Sequence, residues 1–269
     1  MQQSLFFAGP RGEKLAATQH TPEAPSREAV ILGHCFTCSR HTGILRALAQ
    51  RLRGDGFAVL RFDFSGNGQS GGDFAEATYS GYVAEMGAAV AFMRERGADW
   101  IGLAGHSMGA AVAVLAAARY PDVRAVCTLA GRLAGLEPAG FLTPAQRETL
   151  ARRGEVSFVS RGRRLRLRRD FFADARRHDL AASLASLKIP LLVVHGQADE
   201  TIPVGNADEA RRRKPENTEV LIVPGADHMF SRPEHREQVT AGVCRWFNRV
   251  RPATAGGQAP KAPMETPPS

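Results

Sequence analysis

A serine hydroxyl is a poor nucleophile until a base takes its proton and a carboxylate holds that base in the useful tautomer. Three positions of this 269-residue chain could supply those parts. Ser107 stands in Gly105-His106-Ser107-Met108-Gly109, a G-x-S-x-G run between an apolar, strand-like stretch at 100–104 and a small-residue, helix-like stretch at 110–118. Asp199 follows the apolar run 190–194, and His228 follows the apolar run 219–223 in Gly225-Ala226-Asp227-His228. A sharp strand-to-helix turn at such a serine pushes its hydroxyl clear of the chain, and the flanking glycines avoid a Cβ that would strike the strand or helix. The chemistry this predicts is acyl transfer, with Ser107 attacking, His228 carrying the proton and Asp199 orienting His228. Glu200 and Asp227 are alternative carboxylates, but Asp227 adjoins His228 and does not easily face its Nδ1, so Asp199 is the expected partner.

Attack on a carbonyl also needs two backbone N–H donors for the oxygen that becomes negative. One is expected at Met108, after the nucleophile. The other is expected at Phe36, in the loop His34-Cys35-Phe36-Thr37-Cys38-Ser39 that follows an early apolar run. Cys35 and Cys38 spell C-x-x-C, which could be redox-active, metal-binding or inert. With no second ligand pair a zinc site is disfavoured, and inert packing is the expected role. Four cysteines are too few and too unevenly spaced to staple a chain of this size, so all are expected to be reduced.

The elements that must position these residues are legible as a rhythm. Residues 5–8 and 14–20 flank a Gly-Pro turn and read as a hairpin; 29–33, 57–62, 100–104, 123–129, 189–194 and 219–223 read as strands. Helical spacing occupies 43–53, 79–96, 110–118, 204–214 and 233–248. Alternating strands and helices predict a mostly parallel sheet covered on both faces, with the three reactive residues at strand carboxyl ends. Residues 131–186 exceed what a crossover needs and are expected to form an inserted cap over Ser107, the core being 1–130 and 187–250. Inside the insertion, 156–168 alternates with period two about Gly162, a hairpin signature. The Pro-, Ala- and Gly-rich stretch 251–269 is expected to be a disordered tail.

Composition excludes some classes and leaves others open. Apolar residues at 43% and charged residues at 23% are globular values, and no apolar run reaches membrane-spanning length. A cytoplasmic protein without membrane contact is expected. The net charge of +8 is concentrated between Arg147 and Arg177, where eleven arginines face four acids. These arginines could draw in an anionic substrate or simply solvate the hairpin; solvation is the favoured reading, and no nucleic acid is expected.

Taken together, the elbow 105–109, the loop Arg61-Phe62-Asp63-Phe64-Ser65-Gly66-Asn67-Gly68-Gln69-Ser70 and the segments around Asp199 and His228 resemble the serine α/β-hydrolases, from Val30 to about Trp246. Two branches are similar: bacterial feruloyl (cinnamoyl) esterases, with a comparable R-F-D-F loop, a small hairpin-bearing insertion and a G-A-D-H segment, and the hydrolase half of proteins fused to an OsmC-type domain, with an H-C-F-T-C-S loop. The resemblance implies an α/β-hydrolase fold, a nucleophile at Ser107, an acid at Asp199, a base at His228 and oxyanion donors at Phe36 and Met108, with no cofactor and no metal. Cys35 in place of the commoner glycine after His34 leaves less room beside the oxyanion. The 269 residues show no OsmC-like half, so no peroxide-handling role is expected from that resemblance. The implied activity is hydrolysis of carboxylic esters of small acyl or aromatic acids through an acyl-enzyme. Peptidase and thioesterase chemistry use the same machinery, and a binding module built on the arginine-rich insertion is the rival from another class. His34, Phe141, Leu142, Phe158, Phe171 and Phe172 are candidate substrate contacts, the phenylalanines and the leucine being equally suited to the insertion's own core. Oligomeric state is left open, a homodimer included.

Overall fold

The computed structural model describes residues 1–252. The expected tail at 251–269 thus lies outside the described residues except for Arg251 and Pro252. Among the described residues, ten strands and eight α-helices follow in chain order. They are β1 (Gln2–Ala8), β2 (Lys14–His20), β3 (Glu28–Gly33), α1 (Gly43–Gly54), β4 (Ala58–Phe62), α2 (Tyr79–Glu95), β5 (Trp100–His106), α3 (Met108–Arg119), β6 (Val123–Leu129), α4 (Pro144–Arg153), β7 (Glu155–Ser160), β8 (Arg163–Arg168), α5 (Arg169–Ala175), α6 (Leu180–Ser186), β9 (Leu191–Gly196), α7 (Gly205–Arg213), β10 (Thr218–Val223) and α8 (Pro233–Val250).

Eight strands form one sheet in the order β1-β2-β4-β3-β5-β6-β9-β10. From β4 to β10 neighbours run parallel, while β1–β2 and β2–β4 are antiparallel. The near-continuous apolar runs of β3, β5, β6 and β9 follow from burial on both faces. Alternate residues of one strand serve opposite layers: Ala29 and Ile31 of β3 join the core beneath α2 and α3, whereas Val30 and Leu32 join the core beneath α1 and α8. At α1 the spacing of Ile44, Leu45, Leu48, Ala49 and Leu52 places all five against the sheet. Helix α3 is nearly buried all round, which suits its run of alanines and valines.

Between β6 and β9 the chain leaves the sheet for α4, the β7–β8 hairpin, α5 and α6. The hairpin turns at Arg161-Gly162, both with positive φ, and pairs Phe158 with Leu165 and Val156 with Leu167, so its apolar residues share one face. That face packs inward, and Arg166 and Arg168 on the other reach Asp73 and Glu76 of the 3-10 turn Phe74–Glu76. These two arginines remain half-exposed while they pair with the turn. The three helices of the insertion lacked a legible period, because each is short and only Phe171, Phe172, Ala175, Leu180 and Leu184 are buried among them.

Candidate active site

The elbow is built by backbone crowding. Strand β5 runs to His106, and α3 begins at Met108, leaving Ser107 alone to make the turn with φ 57° and ψ −114°, a region that side-chain-bearing residues seldom occupy. A Cβ on Gly105 would lie 2.0 Å from the Gly109 carbonyl oxygen, and one on Gly109 would lie 2.5 Å from the Gly33 carbonyl oxygen. Glycine at both positions lets β3, β5 and α3 meet backbone to backbone, and that contact brings the loop after β3 beside the start of α3.

Three strand ends converge on Ser107. His228, beyond β10, brings Nε2 to 3.1 Å from Ser107 Oγ. Its Nδ1 lies 2.8 Å from Asp199 Oδ2, beyond β9. Asp199 Oδ1 accepts from the Thr201 and Ile202 N–H groups at 2.9 and 2.8 Å, so the carboxylate is fixed before it meets the imidazole. Burial works against the charged form of Asp199, but hydrogen bonds from His195, His228 and the Ile202 N–H outweigh it and hold its pKa below the ordinary carboxylate value. In this arrangement an imidazole can take a hydroxyl proton through Nε2 while Nδ1–H stays bonded to an anion.

Two further histidines, not singled out by sequence, support the three. His195, the penultimate residue of β9, sits with Nε2 2.9 Å from the Ile202 carbonyl and 3.2 Å from Asp199 Oδ2, so Nε2–H donates toward both. His106 brings Nε2 to 2.8 Å from the His228 carbonyl, and burial together with the neighbouring His228 pushes its pKa down to about 4. It is a neutral ring that donates and so fixes the backbone of His228. A histidine at the end of a buried strand, four residues before Asp199, was the available signal for His195. His106 occupies the variable position of the elbow motif and carried none.

Among the described residues neither the Phe36 N–H nor the Met108 N–H has a protein acceptor. Both residues line, with Ser107, a cavity of about 400 Å³ whose walls include Tyr79, Ala111, Arg132, Leu136, Phe141, Phe171 and Ile202. An oxygen anion beside Ser107 would find these two donors free. The Phe36 ring stacks with Phe171 and Phe158 at centroid distances of 5.2 and 6.2 Å and packs against Phe74 and Phe141. Arg132 is bridged to Glu137 at 3.0 Å on the cavity wall. Tyr79 and Arg132 lie at the start of α2 and just after β6, where nothing in the sequence marks a binding position.

The expected substrate contacts divide. Phe141 and Phe171 line the cavity. Leu142, Phe158 and Phe172 do not; they are buried in the core between the insertion and the sheet, because the insertion needs them to hold itself down. His34 does not reach the cavity either. It is fully buried, its Nδ1 2.6 Å from the Cys35 carbonyl and its Nε2 accepting from the Phe64 N–H at 3.0 Å. Burial pushes its pKa down to about 4, so it is a neutral bridge between two loops.

The expectation of four reduced cysteines is also corrected. Cys35 and Cys38 are joined as a disulfide, because the turn they bound brings their Cα atoms to 5.3 Å. Cys127 and Cys244 are free and buried. Among the described residues no group of three or more His, Cys, Asp or Glu side chains is placed to hold a metal ion. No described helix is long and apolar enough to cross a membrane.

A family model described as serine aminopeptidase, S33 matches residues 24–156, and one described as prolyl oligopeptidase family matches residues 166–252. The chain is 27% identical over 269 residues to a monoacylglycerol lipase of Mycolicibacterium smegmatis, covering 90% of this chain and 95% of that one. The esterase domain of a Rhodothermus marinus protein is 25% identical with a TM-score of 0.72, covering 93% of this chain and all of that domain. Est1E of Butyrivibrio proteoclasticus with bound ferulic acid superposes with a TM-score of 0.80 at 24% identity, covering 91% of this chain and 98% of that one; at this identity the likeness speaks for the fold. The fold and these relatives together make the chain a member of the α/β-hydrolase superfamily, an esterase- or lipase-like hydrolase.

Proposed function

We propose that the protein is a serine carboxylesterase that cleaves esters of small acyl or aromatic acids through an acyl-enzyme. The observation that carries this reading is the run of contacts from Ser107 Oγ to His228 to Asp199, opening on a cavity that also presents two unengaged N–H groups. Ser107 Oγ adds to the ester carbonyl as His228 Nε2 takes its proton, and the carbonyl oxygen becomes an anion held by the Phe36 and Met108 N–H groups. The C–O bond to the alcohol breaks, and the alcohol leaves with the proton from His228. A water molecule then repeats the sequence on the acyl-enzyme, releasing the acid and restoring Ser107. Asp199 stays ionised throughout and stabilises the imidazolium. Residues 131–186 serve as a cap over residues 1–130 and 187–250, with Phe141 and Phe171 shaping the acyl side.

Peptidase chemistry on the same residues is the second reading, favoured by the descriptions of the two matching family models. An aminopeptidase needs a free carboxylate for the substrate amine. The cavity carboxylate, Glu137, is already engaged by Arg132, which supports the ester reading. The pairing of Arg166 and Arg168 with Asp73 and Glu76 likewise weakens the case for a binding module built on the hairpin. Phe36, Phe141 and Phe171 give the cavity an aromatic side suited to the acyl group of a soluble ester, and a cytoplasmic setting remains part of the proposal. The test is a panel of p-nitrophenyl esters of increasing chain length and aromatic acids, on wild type and Ser107→Ala, with fluorophosphonate labelling. Wild type should turn over and label at Ser107, and Ser107→Ala should lose activity on the order of 10⁶-fold in kcat, as loss of a triad serine does elsewhere. A wild-type protein that neither hydrolyses the panel nor labels would end the proposal.

A further inference from the structure

The turn 35–38 does three things at once. It carries the Phe36 N–H that faces the cavity, it carries the Phe36 ring that forms part of the cavity wall, and through Thr37 it holds the cap, Thr37 Oγ1 lying 2.7 Å from Ser160 Oγ at the end of β7. Few backbone contacts fix it. The Cys38 N–H donates to the Cys35 carbonyl at 3.1 Å, and the same carbonyl meets His34 Nδ1. Beyond the turn, the Arg40 N–H donates to Asp63 Oδ1 at 2.6 Å. Between these anchors, at His34 and Arg40, only the Cys35–Cys38 bridge ties one side of the turn covalently to the other.

We propose that the Cys35–Cys38 disulfide is a positioning element of the acyl-transfer site, holding Phe36 so that its N–H meets the oxyanion. The proposal rests on the assignment of Ser107 as nucleophile and Phe36 as oxyanion donor. A bridge that spans only two intervening residues restrains the unfolded chain less than a long-range one, so its effect is local. Hydrogen-bond donors to an oxyanion act only when aimed at where the charge develops, so a loosened turn costs turnover more than substrate binding.

The bridge is also placed to be opened. Cys38, 6% exposed, borders an open groove of about 330 Å³ together with Thr37, Ser39, His41, Arg161 and Arg163, from which a small dithiol can approach. A dithiol reductant opens it by exchange: its thiolate attacks one sulfur, and its second thiol completes the transfer, so that two electrons and two protons pass to the cysteines and the reductant becomes a cyclic disulfide. Cys127 and Cys244 do not compete. Burial pushes the Cys127 thiol well up and the Cys244 thiol to about 12, and neither lines the groove.

The test is steady-state hydrolysis of p-nitrophenyl butyrate by the full chain, oxidised and after dithiothreitol, with the bridge state read by alkylation and intact mass. The same measurements are made on Cys35→Ser with Cys38→Ser. Opening the bridge should lower kcat about tenfold, less than the 10²- to 10³-fold expected for outright loss of an oxyanion donor, with KM changed by less than about twofold. The double variant should match the reduced wild type and ignore dithiothreitol, and reoxidation should restore the wild type alone. If the native bridge resists dithiothreitol, the double variant carries the decision. Equal kcat in the open and closed forms, or a loss confined to KM or to melting temperature, would overturn the proposal. An oxidised wild type that is inactive and unlabelled at Ser107 would instead overturn the underlying functional reading.

Discussion

Glu85 of α2 is a carboxyl group buried to 1% exposure, and Arg11 lowers its pKa only weakly. Its oxygens accept from the Ser65 N–H at 2.9 Å and from the Ser65 hydroxyl, which together hold the loop after β4 against α2. Burial raises its pKa from 4.5 to about 7, and the two Ser65 hydrogen bonds only partly oppose that rise. The shift is a roughly 300-fold tighter hold on the proton in the folded state, equivalent to about 3 kcal/mol. Because the folded pKa lies above the unfolded one, the folded protein binds more protons between pH 4.5 and 7. Stability therefore falls as pH rises through that window and levels off above it. Glu85→Gln removes the titration, keeps an oxygen acceptor for the Ser65 N–H, and offers an amide N–H to the Ser65 hydroxyl oxygen in place of the oxygen that accepted its proton. The difference in unfolding free energy, variant minus wild type, should thus become more favourable by about 3 kcal/mol between pH 4.5 and pH 8. Urea unfolding of both proteins at pH 4.5, 5.5, 6.5, 7.5 and 8 measures it. A difference that is flat with pH, or that moves the other way, would refute the reasoning, whatever its absolute size.

Two other outcomes follow from the site. Asp199→Asn keeps the bonds from Thr201 and Ile202 but presents His228 with a neutral partner that allows the wrong tautomer, so kcat on p-nitrophenyl butyrate should fall roughly 10⁴-fold with KM little changed; a loss under tenfold would point to another carboxylate. Gly109→Ala sets a Cβ 2.5 Å from the Gly33 carbonyl oxygen and 2.7 Å from that of His34, both rigid backbone, so thermal unfolding should show a stability loss of about 3 kcal/mol or more. A melting temperature equal to that of wild type would show that the elbow is less crowded than its backbone implies.

The core was legible because its signals are local. A strand buried on both faces must be apolar throughout, and a helix lying on a sheet must repeat its apolar residues every three or four positions, so the six apolar runs and five helical spacings marked the elements to within a few residues. The insertion was less legible. Its hairpin alternates visibly about Gly162, but α4 buries none of its residues and α5 and α6 are seven residues each, too short for a period to stand out. The split among the candidate contacts has the same origin: Phe141 and Phe158 are equally apolar, and only the packing decides which one meets the cavity and which one fills the core.

Ser107, Asp199, His228, Phe36 and Met108 could be selected from residue type and order along the chain, since in a parallel sheet every strand delivers its following loop to the same edge. What the linear chain could not carry is distance. His106 and His195 brace the site from positions that read as ordinary strand residues, and His34, chosen as a contact, turns out to be a buried bridge between two loops. The Cys35–Cys38 bond likewise depends on the conformation of a four-residue turn, which the C-x-x-C spelling permits and only the folded backbone around it selects. Chemistry of residue type is written along the sequence, whereas hydrogen-bond partners and cavity walls arise from elements far apart in the chain and exist only once the sheet has brought them together.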